Sequence, residues 1–299
     1  MTAVAFGLIL LSIFLHVGWN LISKKSQPSA AFYLLSSVTS FCIYFPCVFF
    51  AGIDWSALGC RFWSFLFCSI FFEILYFIGL FKTYRSTDIS LAYPMVRALP
   101  VLLVAAVTTL FSIGKPLNGS AFLGLFIVFA GCLLMPLKSF SQFSLRNYMT
   151  PALGAMLLAA CGTTGYTVFD GMLIPRLLAH ASGPAPMVTG TFIAMLELGI
   201  TTGLSVYVLS KKEERAEFKK LAGRSWMPHF CGIGSSSAYI LVVLAMPLVT
   251  NLSYVQAFRQ MSLPLGVAAG IFLLKEKCPP VRLAGVAAVA AGLVIMALK

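Results

Sequence analysis

Six side chains that can hold or exchange charge sit where long apolar runs should exclude them: His16, Glu73, Arg97, Asp170, Glu197 and Arg259. A charged group at the centre of a membrane helix costs at least ~2.5–3.5 kcal/mol, so each of these needs a water-filled cavity or a partner. Glu73, Arg97, Glu197 and Arg259 fall near the middle of their runs, and Asp170 lies towards the end of its own. The planar guanidinium of Arg97 or Arg259 suits a carboxylate or phosphate held by two parallel hydrogen bonds. A carboxylate inside the membrane suits a proton or a cationic group, so Glu73, Glu197 and Asp170, together with His16, are the candidates for proton coupling. A second reading pairs Glu73 with Arg97 and Glu197 with Arg259 as salt bridges that lock adjacent helices, because an unpaired buried charge is so costly. Each arginine is followed by a proline, Pro100 or Pro264, which releases a carbonyl beside the charge and permits a bend there.

Around these charges the polar residues form stripes. His16, Trp19, Asn20 and Ser23 are spaced to share one helix face, and Thr163, Tyr166, Thr167 and Asp170 repeat that spacing. Such a stripe either lines a cavity or hydrogen-bonds to neighbouring helices. The candidate substrate-binding set is Arg97, Arg259, Trp19, Asn20, Tyr93, Tyr166, Tyr239, Tyr254 and Gln256, with the run Ser235-Ser236-Ser237 beside it. No catalytic constellation accompanies it. There is no G-x-S-x-G elbow and no H-E-x-x-H helix, and His16, His180 and His229 are scattered. The eight cysteines form no CxxC pair and fall mostly within apolar runs, so neither a disulfide framework nor a metal site is expected, and no cofactor.

The elements that must position these residues follow from composition. The chain of 299 residues is 60% hydrophobic and 10% charged, with a mean hydropathy of +0.94, which excludes a soluble globule. The net charge of +12 is spread over short segments between apolar runs, without the basic patch that nucleic acid would require. The first run lacks a basic leader and an A-x-A site and is expected to persist as a membrane helix. Runs of about 20 apolar residues, the length that crosses a bilayer, predict ten membrane helices near 3–23, 30–51, 62–82, 89–112, 119–137, 151–174, 186–209, 227–247, 251–274 and 281–298. The polar stretch 211–220 reads as a loop with at most one helical turn.

Ten divides into two fives. The stripes of the first and sixth helices match at a constant offset, and Gly124, Gly131 and Met135 match Gly285, Gly292 and Met296 at another. The expected architecture is all-α and embedded in the membrane, with a five-helix repeat over 1–137, a linker over 138–150 and a second repeat over 151–299. Five is odd, so the second copy enters the membrane inverted, and the site lies between the halves near the midplane.

The chain resembles the EamA-type branch of the drug/metabolite transporter superfamily. The resemblance rests on Trp19-Asn20 followed by Lys24, on Leu91-Ala-Tyr-Pro-Met-Val-Arg97 leading to Pro100, and on Leu274-Lys-Glu276 before a final glycine-rich helix. It departs in the first half, where Phe111-Ser-Ile-Gly-Lys115 carries no counterpart of Glu276. The resemblance implies a ten-helix carrier of small metabolites.

Together these features predict a secondary active transporter of a small polar or amphiphilic metabolite, amino-acid-like or a related amine, working by alternating access. No G-x-x-x-x-G-K-[ST] loop is present, so a gradient or exchange must supply the energy. An anionic nucleotide-like metabolite or a lipid headgroup is the alternative substrate, and an intramembrane enzyme or a channel the remote alternative class. The expected partners are a small-molecule substrate and the bilayer of a plasma membrane, in particular a bacterial inner membrane, and the chain is compatible with a monomer. Of the 21 Lys and Arg, 15 lie on the side of the odd-numbered interhelical loops and 4 on the side of the termini, which by the positive-inside rule places both termini outside the cytoplasm.

Overall fold

The computed structural model describes residues 2–26, 28–86, 89–135, 137–142, 149, 152–274 and 278–297. Helix α1 (Ala3–Lys25) begins where the Thr2 hydroxyl accepts the Ala5 N–H, and α2 (Ala30–Tyr44) where Ser29 accepts that of Phe32. Each cap satisfies one of the donors that a helix start leaves unpaired. After α2 a 3-10 turn, Phe45–Phe49, leads into α3 (Cys60–Ser86), α4 (Ile89–Leu110) and α5 (Gly119–Leu134), the last capped by Asn118. The second half contains α6 (Leu153–Ala179), α7 (Ala185–Ser210), α8 (Lys212–Leu221), α9 (Met227–Ala245), α10 (Leu252–Phe258), α11 (Ser262–Leu274) and α12 (Pro280–Ala297).

Two elements differ from the sequence expectation. The stretch 211–220 is not a loop with one turn but a ten-residue helix, α8. Its first turn carries Glu213 and Glu214 and its last turn Lys219 and Lys220, the arrangement that complements the helix dipole. The run 251–274 is not one helix: a 3-10 turn at Arg259–Met261 separates α10 from α11.

Among the described residues seven helices are long and apolar enough to cross a bilayer, namely α1, α3, α6, α7, α12 and, with their trailing 3-10 turns, α2 and α9. Val96–Leu110 and Gly119–Leu134 are shorter apolar helices. Phe14, Phe67, Phe126 and Val206 are among the large apolar side chains left on the outside, where only acyl chains can cover them. The protein is thus an all-helical multi-pass membrane protein.

Helices pair along their lengths as α3 with α6, α5 with α12, α1 with α9 and α2 with α7. Small residues set the closest of these contacts. A Cβ on Gly131 would meet the Gly285 carbonyl at 2.7 Å and one on Gly285 the Gly131 carbonyl at 2.7 Å, so α5 and α12 touch backbone to backbone, the geometry that membrane helices reach only through small residues. At the end of the bundle that holds the chain start, the connection after α2 meets the one after α6: Ser182 N–H donates to the Gly52 carbonyl at 3.0 Å and Gly183 N–H to that of Ala51 at 3.0 Å.

Candidate functional site

Between the halves lies a cavity with about 640 Å³ of space unoccupied by protein atoms, counting its opening. Seven elements line it. From α1 come Ser12, His16 and Trp19; from α3, Glu73, Tyr76 and Phe77; from α4, Arg97; from α6, Tyr166. Helix α7 adds Glu197, α9 adds Ser235, Ser236 and Tyr239, and the 3-10 turn adds Arg259. The heptad-like spacing of the first stripe thus brings His16 and Trp19 to one wall, and membrane depth brings the two arginines and two of the carboxylates to the others.

Hydroxyls and a carbonyl hold Glu197 and Arg97 in this cavity. Ser37 donates to Glu197 Oε2 at 2.5 Å, and Thr201 in turn donates to the Ser37 hydroxyl at 3.1 Å. Asp170, fully buried just outside the cavity wall, accepts from Ser69 on one oxygen and from Tyr239 on the other. Glu73 Oε2 is buried with no hydrogen-bond partner. The salt bridges among the described residues join Arg85 to Glu214 and Lys220 to Glu217. The sequence reading that pairs Glu73 with Arg97 and Glu197 with Arg259 is therefore corrected: among the described residues neither carboxylate lies within 4 Å of an arginine nitrogen, and Glu197 is held by Ser37 instead.

The two arginines are placed differently. Arg97 Nη2 donates to the Arg259 carbonyl at 3.2 Å and to the Ser262 hydroxyl at 2.5 Å, so it reaches from the first half into the break of the second. Ser262 itself donates to the Arg259 carbonyl at 2.9 Å. Arg259 places its guanidinium carbon 5.8 Å from the centre of the Tyr239 ring, and its Nη1 has no hydrogen-bond partner. Tyr239 meets Tyr166 edge to face at 5.6 Å, and Tyr166 meets Tyr76 at 5.8 Å, so an aromatic wall adjoins the guanidinium.

His16 is fixed by Trp19, whose indole Nε1 can only donate and does so to His16 Nδ1 at 3.1 Å. The ring proton therefore resides on Nε2, and a proton added at Nδ1 would displace the indole. Other members of the expected set lie elsewhere. Asn20 Nδ2 is used on the His16 carbonyl at 2.7 Å, Ser23 meets the Tyr33 hydroxyl at 2.9 Å, and Gln256 is buried in α10 with Oε1 unpartnered. Tyr254 packs against the apolar core, and Thr163 and Thr167 are buried without lining the cavity. The side chains of Tyr93 and Lys24, like Glu276, lie outside the described residues. Among the described residues no group of three His, Cys, Asp or Glu is gathered for a metal ion.

Sequence reading missed Ser37, Ser69, Ser12 and Ser262. Ser262 lies three residues after Arg259, the helical spacing at which neighbours meet, so that signal was present, whereas the partner of Ser69, Asp170, is 101 residues away on α6. Ser37 carries no such local mark, since its partner is on α7.

No family model matches the chain, and no curated protein matches it. A solved crystal structure does: it superposes with a TM-score of 0.69 at 14% sequence identity, covering 99% of this chain and 96% of that one. At that identity the likeness is one of fold alone.

Proposed function

We propose that the protein is a secondary active transporter of a small zwitterionic or amine-bearing metabolite, amino-acid-like in chemistry, which binds in the central cavity and crosses by alternating access. The carrying observation is that Arg259, with an unpartnered Nη1, and Glu73, with an unpartnered Oε2, line one cavity beside tyrosine and tryptophan rings. Unsatisfied buried groups of opposite sign call for a ligand bearing both signs, since leaving each unpaired costs ~1–3 kcal/mol or more. Arg259 would hold the carboxylate and Glu73 the ammonium group or the coupling proton.

The same reading takes the chain as ten spans in two inverted five-helix repeats of the EamA type, seated in a plasma membrane with both termini outside the cytoplasm. It is supported by the helix pairings. Exchanging the halves turns the α3–α6 contact into that of α9 with α1, and returns α2–α7 and α5–α12 to themselves. That invariance is what a pseudo-two-fold axis in the membrane plane produces. Alternating access would then rock the repeats about the cavity.

Counterflow in proteoliposomes tests the reading. A panel of neutral amino acids and related amines should include one that exchanges saturably and is blocked by its own excess. Exchange confined to nucleotide-like anions would transfer the site to its two arginines and overturn the zwitterion assignment. Non-saturable flux would indicate a channel and overturn transport by a carrier.

A further inference from the structure

A second cavity is built on three of the helices that also line the first. It runs between α3, α4 and α6, holds about 1140 Å³ counting its opening, and shares no lining residue with the central site. Its walls are phenylalanine, leucine, valine, isoleucine and methionine; the Thr164 hydroxyl is turned back onto the Ala160 carbonyl at 2.9 Å, and the sole charged lining residue is Arg61 at one end. From Arg61 to Phe72 along α3 the groove descends about 16 Å, close to half of a ~30 Å hydrocarbon core. Its charged end is at the interface, because Trp55 and Trp63 stack there at 6.3 Å and tryptophan favours headgroup level.

That end carries two cations on one ring. The guanidinium carbons of Arg61 and Arg176 lie 5.2 and 5.9 Å from the centre of Phe65. Neither has a carboxylate within salt-bridge distance among the described residues. A dry groove one leaflet deep, ending at two unneutralised guanidinium groups, matches a molecule with an acyl tail and an anionic head. We propose that this groove is a binding site for an anionic glycerophospholipid, with an acyl chain against Phe72, Leu103 and Val168 and the phosphate at Arg61 and Arg176.

The test uses the full chain in detergent, supplied with phosphatidylglycerol or with phosphatidylcholine of identical chains, and counts retained lipid by native mass spectrometry. Two arginines at the surface should favour the anionic lipid about 30-fold, equivalent to ~2 kcal/mol. The double variant Arg61→Gln, Arg176→Gln should lose that preference, and Cys161→Trp, which fills the groove from α6, should lose both lipids. Phosphatidylglycerol should also shield the native, exposed Cys161 from a maleimide, a readout that needs no variant. The proposal is overturned by an undiminished preference in the double variant, by unshielded Cys161, or by glycerol phosphate displacing the lipid at equal concentration.

Discussion

Helix α4 and the α10–α11 pair carry the same local signature, an arginine at membrane depth followed closely by a proline, yet they fold differently. Helix α4 runs from Ile89 to Leu110 without interruption, whereas its counterpart breaks at Arg259–Met261. What distinguishes them is the set of donors gathered at the break. The Arg259 carbonyl receives Arg97 from the other half and Ser262 from its own, so the break is satisfied inside the protein as hydrocarbon demands. One arginine is thereby committed to holding the backbone of the other half. The other keeps Nη1 for the cavity. Under the proposed function the shared motif splits into a positioning residue and a ligand-binding residue, and the lesson is that the proline motif does not assign roles to the arginines beside it.

The largest expected effect belongs to Glu73, because it decides whether Arg97 has a second duty. With Arg97 bound to the Arg259 carbonyl and not to Glu73, Glu73→Gln should leave folded yield near wild type while abolishing pH-gradient-driven uptake and sparing exchange. Were Glu73 the partner of Arg97 after all, the substitution would strand a buried charge at about 3–5 kcal/mol and yield would collapse. Fluorescence-detected size exclusion and a gradient-uptake assay separate these outcomes.

Ser262→Ala addresses the break itself. It removes one donor to the Arg259 carbonyl and one acceptor of Arg97, and should lower stability by about 2 kcal/mol, given that hydrogen bonds to charged groups are worth ~1.5–3 kcal/mol. A thermal midpoint equal to wild type would show that the break does not depend on this network.

Smaller effects are expected at the two ends of the bundle. Glu214, buried on α8, accepts the Ala31 N–H at the start of α2 and pairs with Arg85 at the end of α3, both at 3.1 Å. Glu214→Gln preserves the first bond and weakens the second, whose arginine is half exposed, so less than about 1 kcal/mol should be lost. At the other end the Ser56 hydroxyl and backbone N–H donate to Asp54 at 2.6 and 3.1 Å and hold its carboxyl below the usual carboxylate range. A depressed carboxylate contributes stability above its unfolded pKa, near 3.9, and loses it as pH falls through the folded value. Ser56→Ala should raise the Asp54 titration towards the ordinary range, as read by carbon NMR of the labelled carboxyl.

Much of the scaffold was legible in the sequence because membrane helices announce themselves by apolar length. The matched glycines of the fifth and tenth apolar runs were legible for a similar reason: only small residues allow the α5–α12 approach seen at Gly131 and Gly285. The prolines permit a bend beside each arginine, but that only the second helix breaks, at Arg259–Met261, was hidden, since arginine, glutamine and methionine all favour helix and a donor to the break, Arg97, is 162 residues distant. Carboxylate partners were hidden too. Spacing can place Glu73 and Glu197 at one depth, but whether a hydroxyl or a guanidinium reaches them depends on which helices adjoin, and Ser37 is 160 residues from Glu197.

The division of labour between the arginines is tested most directly by comparing Arg97→Lys with Arg259→Lys in one counterflow assay, with the thermal midpoint of each. Lysine keeps the charge and loses the planar fork. Arg259→Lys should weaken substrate exchange by about 30-fold, the equivalent of ~2 kcal/mol of lost charge-assisted hydrogen bonding, with stability unchanged. Arg97→Lys should lower the midpoint while folded protein exchanges within a few-fold of wild type. Equal loss of exchange in both at unchanged stability, or wild-type exchange by Arg259→Lys, would contradict the account.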